Sequence, residues 1–327
     1  MKAIDVEQID SEPVMKWRDW PDVTVQPYEV LVDIHATAVN RADLAQARGM
    51  YPPPKGESDV IGLEMAGIVA AVGTRVEKWQ NGEWVFALLS GGGYAQQAAV
   101  HQDMLLRIPE GWSFHHAAAL PEVWLTAYVN LFLEGHLDDN ETVLVHAGAS
   151  GVGTAAIQLA KSVEATVVVT TGSPRKQNAC LELGADLAIN YKQKDFYDEI
   201  SGWLGGEKVD LILDPVGGSY LESNIKLLGE FGRLINIGLL GGSAGTLEMS
   251  SVIGNRLRII GSRLRSRPLK EKIEFSHSFW DRFQPYFLTG AFKPVIDTVY
   301  PIEEAQTAHE FVRDNQNIGK VILAVRE

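Results

Sequence analysis

The chain has 327 residues, more than one hydrophobic core usually serves, so two domains are expected. A hydrophobic fraction of 46% with 22% charged residues is ordinary for a folded globular protein and excludes the disordered and fibrous classes. The net charge of -13 repels a phosphate backbone, and a single cysteine, Cys180, excludes an intrachain disulfide and any multi-cysteine zinc site.

Residues 1–7 lack the apolar run of a secretory signal, and no uninterrupted apolar segment reaches the ~18 residues of a membrane span. A cytoplasmic protein with no membrane partner is expected. Residues 1–121 read as short strands, such as 30–34, 67–72 and 84–88, broken by loops at Pro52-Pro53-Pro54 and Gly91-Gly92-Gly93. Without helix-strand alternation, this part predicts an irregular antiparallel barrel or sandwich. The adjacent His115 and His116 point to different faces, which suits a loop or helix start better than a metal site. From residue 122 to 267 apolar strands alternate with amphipathic helices, the pattern of a parallel sheet covered on both faces. Six strands are expected, at 142–147, 165–170, 187–190, 209–214, 233–237 and 257–261. The basic stretch Arg256, Arg258, Arg263, Arg265, Arg267, Lys270 and Lys272 is interleaved with apolar residues, so it reads as a strand and a solvated helix, not as a nucleic-acid surface. Residues 268–327 carry a helical stretch, a strand, a helix and a final strand. They are expected to return and complete the first domain. The fold class is α/β: a mostly-β domain beside a doubly wound parallel one.

Directly after the first strand of the second domain comes Gly148-Ala149-Ser150-Gly151-Val152-Gly153, and then a helix whose Val152, Ala155, Ala156, Leu159 and Ala160 form one apolar stripe. Strand, tight turn and helix in this order let backbone N–H groups at a helix start approach a pyrophosphate. Ser150 replaces the middle glycine of the usual pattern. It is small and could add a hydroxyl donor. At the end of the second strand, where NAD enzymes place a carboxylate for the ribose hydroxyls, stand Thr170, Thr171, Gly172, Ser173, Pro174, Arg175 and Lys176. A hydroxyl and two cations suit the extra phosphate of NADPH, although both cations could simply be exposed charges on a starting helix.

The segments 38–44, 48–51, 62–64, 121–127, 146–160, 189–191 and 317–320 resemble, in order, the quinone oxidoreductase branch of the medium-chain dehydrogenase/reductase superfamily, near zeta-crystallin and its tumour-suppressor-inducible group. The resemblance implies a GroES-like catalytic domain and a Rossmann domain with NADPH in the cleft between them. It places Ser150, Gly151 and Val152 at the pyrophosphate, and Gly172, Ser173, Lys176 and Tyr191 at the adenosine phosphate end. Thr126, Gly238, Leu239 and Leu264 fall near the nicotinamide. Asn317 and Lys320 match a contact from the C-terminal strand, though Asn317 could cap a turn and Lys320 could be solvated. A homodimer is implied as well, with a tetramer left open.

Zinc-dependent relatives take metal ligands from positions that Asn40 and Leu63 hold here, and neither an amide nor a leucine replaces thiolate or imidazole. No metal is expected. Without a Lewis acid the substrate must be activated already, as quinones and conjugated carbonyl compounds are. The Asn40 amide and the Tyr51 phenol are the candidate catalytic donors, with a packing role open for Tyr51. Two other readings stand: an NADPH-dependent alkenal or enoyl reductase, and a catalytically idle, crystallin-like NADPH-binding protein. Trp124 reads as cleft lining or core.

Overall fold

Runs of Val, Ile and Leu that are buried on both faces build a six-stranded parallel sheet in the computed structural model, which describes residues 1–10 and 12–326. The strands are Thr142–Val145, Thr166–Thr171, Leu187–Asn190, Val209–Asp214, Leu228–Asn236 and Arg258–Gly261. In space they run third, second, first, fourth, fifth, sixth, every neighbour pairing in parallel. Winding reverses direction at the first strand, so a crevice forms at the carboxyl ends of the first and fourth strands. Leu144, Val168, Ile189, Ile212 and Leu234 pack one core of this unit together with Phe196 and Ile200.

The other unit is built around a seven-stranded sheet. Its path runs Ile296–Pro301, Lys320–Ala324, Glu29–Val39, Glu64–Val72, Trp84–Leu88 and Leu106–Arg107, and Gln97–His101 also pairs with Glu29–Val39. Both C-terminal strands thus join a sheet made by the first hundred residues, with Val321 opposite Val39. Helix Leu269–Leu288 turns Phe275, Phe279, Phe283 and Phe287 inward at i, i+4 spacing. Trp124 belongs to the core, its ring centroid 4.7 Å from Phe287 and 5.3 Å from Phe292.

The two units comprise Met1–Leu125 with Leu264–Glu327, and Thr126–Arg263. The divisions fall four residues away from the expected 121/122 and 267/268. The change of sequence pattern at residue 122 marks the start of helix Pro121–Tyr128, whose first turns still pack into the first unit through Val123 and Trp124. Among the described residues no helix is long and apolar enough to cross a membrane.

Candidate functional site

In the second unit the turn after the first strand is shaped by close approach. A Cβ on Gly153 would lie 2.4 Å from Gly148 O, and one on Gly148 would lie 2.6 Å from Val169 Cβ, so only glycine lets the helix start settle against the second strand. Ser150 caps helix Gly151–Lys161 by accepting from Gly153 N at 3.1 Å. The N–H groups of Gly151 and Val152 open this helix, where the ladder supplies no acceptor. Their position suits an anion.

At the end of the second strand Gly172 leaves room for Tyr191, whose hydroxyl would sit 3.0 Å from a Cβ there. Ser173 caps the helix Pro174–Glu182, accepting from Lys176 N at 3.3 Å. Thr171, named in the sequence only as part of the strand end and given no role there, buries its Oγ1 with no hydrogen-bond partner. Such an orphan is costly unless a ligand or water completes it. Gly238 follows the fifth strand, and a Cβ there would come within 2.7 Å of Pro215 O, while the neighbouring Leu239 is exposed. Asp214 steadies the facing loop by accepting from Val216 N at 2.6 Å and Gly217 N at 3.1 Å. Because all strands are parallel, Ser150, Gly151, Val152, Gly172, Ser173, Lys176, Tyr191, Gly238 and Leu239 collect at one end of the sheet. Thr126 stands apart on the helix preceding the first strand, where its carbonyl accepts from Asn130 Nδ2 at 2.7 Å.

In the first unit three strand ends converge on a buried polar cluster. The Val321–Val39 register sets Lys320 beside Asn40, and Glu64 opens the adjoining strand. Lys320 Nζ donates to Asn40 Oδ1 at 2.6 Å, Glu64 Oε1 at 2.7 Å and Val39 O at 3.2 Å. Its three hydrogens all find acceptors of the chain, and the ammonium is buried, so the solvated alternative does not describe it. Asn40 Nδ2 donates to Glu64 Oε1 at 2.7 Å and reaches Ala38 O only at 3.4 Å, so one hydrogen is firmly held and the other loosely. Asn317 spends its amide on Gly319 O at 2.7 Å, the turn-capping alternative. Leu264 is buried. His116 shares a hydrogen bond of 2.8 Å with Ser113, which caps the short helix Phe114–Ala118.

Around this ammonium lie three carboxyl groups. Asp43 accepts from Asn40 N at 2.8 Å and Gly62 N at 3.2 Å, and burial pushes it up to about 7. Glu64 Oε2 accepts from Glu122 N at 2.9 Å. Burial, followed by the charge of Glu64, pushes the Glu122 carboxyl up to about 8. Two cations from the basic stretch also prove buried, not solvated: Arg265 is 3% and Lys272 6% exposed. Arg265 Nε donates to Ser90 O at 2.7 Å and Nη1 to Tyr51 O at 3.3 Å, with the guanidinium 5.4 Å from the centre of the Tyr51 ring. Lys272 Nζ donates to Ser90 Oγ at 2.6 Å. Nothing in the spacing of seven cations separates these two from the rest, whereas Glu122 lies inside a segment already singled out at 121–127. Among the described residues no group of three or more His, Cys, Asp or Glu could hold a metal ion.

Comparison with known proteins agrees with this architecture. Residues 26–110 match the family described as alcohol dehydrogenase GroES-like domain, and residues 151–278 match that described as zinc-binding dehydrogenase. The chain is 31% identical over 332 residues to the mouse quinone oxidoreductase, covering 99% of this chain and 97% of that one. It is 32% identical over 312 residues to the zebrafish synaptic vesicle membrane protein VAT-1 homolog, covering 90% of this chain but 64% of that relative's length. Among solved structures, the Escherichia coli quinone oxidoreductase complexed with NADPH superposes with a TM-score of 0.89 at 26% identity, covering 99% of both chains. The CurK enoyl reductase superposes with a TM-score of 0.84 at 26% identity, covering 99% of this chain and 98% of that one. The two units are thus a GroES-like domain and a parallel-sheet Rossmann domain.

Proposed function

This chain belongs to the medium-chain dehydrogenase/reductase superfamily, and from that premise we propose that it is an NADPH-dependent reductase of quinones or similarly activated conjugated carbonyl compounds that works without a metal. The observation that carries the reading is the Lys320 ammonium bonded to Asn40 and Glu64. Asn40 and Leu63 hold the positions from which zinc-dependent relatives draw ligands. Here the Asn40 oxygen already faces an ammonium that would repel a divalent cation, and Leu63 offers no donor. These residues do not fit zinc.

They do fit a reduced dinucleotide phosphate. Ser150, Gly151 and Val152 would take the pyrophosphate at the helix start. The absence of a carboxylate from 170–176, the orphaned Thr171 hydroxyl and the group Gly172, Ser173, Lys176 and Tyr191 favour the extra phosphate of NADPH over NADH. Thr126, Gly238, Leu239 and Leu264 would border the nicotinamide, with Asn317 supporting through its turn. When bound, NADPH supplies a hydride. What the chain must add is hydrogen bonding to the oxygen on which charge collects, and Tyr51 with the loosely held second hydrogen of Asn40 serves that need. A quinone needs no more activation than this, because its conjugated system spreads the charge. Placement in the tumour-suppressor-inducible group rests on the resemblance of the segments 38–44, 48–51, 62–64, 121–127, 146–160, 189–191 and 317–320 taken together. A homodimer through the exposed edge strand Arg258–Gly261 follows from the same resemblance, and light scattering at twice the chain mass would register it.

The likeness to an enoyl reductase supports a second reading, in which an acid must protonate carbon. A steady-state screen of NADPH and NADH against an ortho-quinone, an alkenal and an enoyl thioester separates the two. The proposal expects the quinone with NADPH to give the highest kcat/KM. Turnover confined to the thioester would replace it with the second reading, and NADPH binding with no acceptor consumed would mark an idle binding protein.

A further inference from the structure

Two enclosed groups of the first unit lack the polar partners they need. Glu122 Oε2 and Arg265 Nη2 are both buried and both without a hydrogen-bond partner. Each lies within reach of the other's charge, yet they form neither a hydrogen bond nor an ion pair. Arg265 cannot simply swing across, because Nε and Nη1 are tied to Ser90 O and Tyr51 O and its plane lies by the Tyr51 ring. Lys272 stands alongside with its ammonium on Ser90 Oγ and, at 3.5 Å, on Arg265 O. Two buried cations without a carboxylate in contact are strongly unfavourable unless something anionic or electron-rich joins them. A guanidinium hydrogen and a carboxyl, both idle and not touching, match one kind of occupant: an oxygen that accepts from both.

We propose that Arg265 and Glu122 hold the carbonyl oxygen of the substrate between them, and that Glu122 delivers the proton which that oxygen takes up on reduction. The inference rests on the reductase reading above. As hydride reaches the conjugated system, an electron pair moves onto the held oxygen. The O–H bond of Glu122 breaks, a new O–H bond forms on the product, and the pair left behind makes Glu122 a carboxylate that Arg265 and Lys272 balance. Water then returns the proton. Glu64, Lys320, Asp43, Arg265 and Lys272 are the charged groups that face Glu122, and burial with Glu64 and Asp43 outweighs the three cations, leaving it protonated up to about pH 8. Tyr51, whose carbonyl and ring both meet Arg265, then aims the guanidinium as well, beside the donor role proposed above for its phenol.

The test uses Glu122→Gln, which keeps the packing, together with Arg265→Met and Arg265→Lys. Two measurements are made on each: steady-state reduction of an ortho-quinone across pH, and absorbance titration of 4-nitrophenol into the NADP+-loaded protein, where a bound phenolate reports the oxygen site without turnover. NADPH affinity, read by fluorescence, controls for folding. The wild type should lose kcat above about pH 8, and Glu122→Gln should lower kcat by at least about tenfold and abolish that decline. Arg265→Met should raise the quinone KM by about tenfold or more and remove phenolate binding, Arg265→Lys should restore part of it, and NADPH affinity should change little. Wild-type phenolate binding and pH profile in Glu122→Gln and Arg265→Met would overturn the inference, as would loss of quinone activity only in step with NADPH affinity. If the wild type reduces no acceptor, the reductase reading fails by itself, and the phenolate titration alone then decides whether Arg265 and Glu122 bind such an oxygen.

Discussion

Lys320 and Glu64 are 3% and 0% exposed at the side chain, so neither charge is screened by water and each depends on the other. Replacing one partner strands the other. Lys320→Met should therefore cost about 3–5 kcal/mol in chemical unfolding, and adding Glu64→Gln should recover a large part of that. A single-variant loss below about 1 kcal/mol would mean that the pair contributes no more than an exposed salt bridge does. Sequence reasoning reached Asn40 and Lys320 one at a time, through separate motifs. It could not pair them, because a contact between residues 280 positions apart leaves no local spacing to read. The same blindness sent Arg265 and Lys272 to the solvent: an Arg or Lys is exposed by default, and only the fold shows which ones are enclosed.

At the scale of elements, periodicity did most of the work. The strands at 187–190 and 209–214 fall where their apolar runs begin and end, and Leu228–Asn236 begins five residues before the expected 233 because Gly229, Glu230 and Gly232 mask its start. The turn after the first parallel strand was legible because strand, glycine turn and helix follow one another directly in the chain. Thr171 was not, since a threonine ending a strand is unremarkable until its hydroxyl is found buried and alone. The end of the second strand carries the choice of cofactor. Lys176→Ala should reduce the preference of kcat/KM for NADPH over NADH by about tenfold or more, as the loss of one charge-assisted bond of roughly 1.5–3 kcal/mol requires. An unchanged ratio would move phosphate recognition elsewhere.

For the whole molecule, the return of the chain to its first domain could be read from the tail, which breaks the alternating pattern, and the sheet pairing of Lys320–Ala324 with Glu29–Val39 realises it. That return also makes chemistry available, since it brings Lys320, Arg265 and Lys272 into the unit that holds Asn40, Glu64 and Glu122. In the proposed account ammonium, guanidinium and a neutral carboxyl would take the place of a metal ion, so catalysis should be indifferent to metals. The most direct measurement is NADPH-driven reduction of an ortho-quinone before and after exhaustive dialysis against a chelator, with zinc then restored. The account predicts the same kcat/KM in all three states; activity that disappears with chelation and returns with zinc would contradict it.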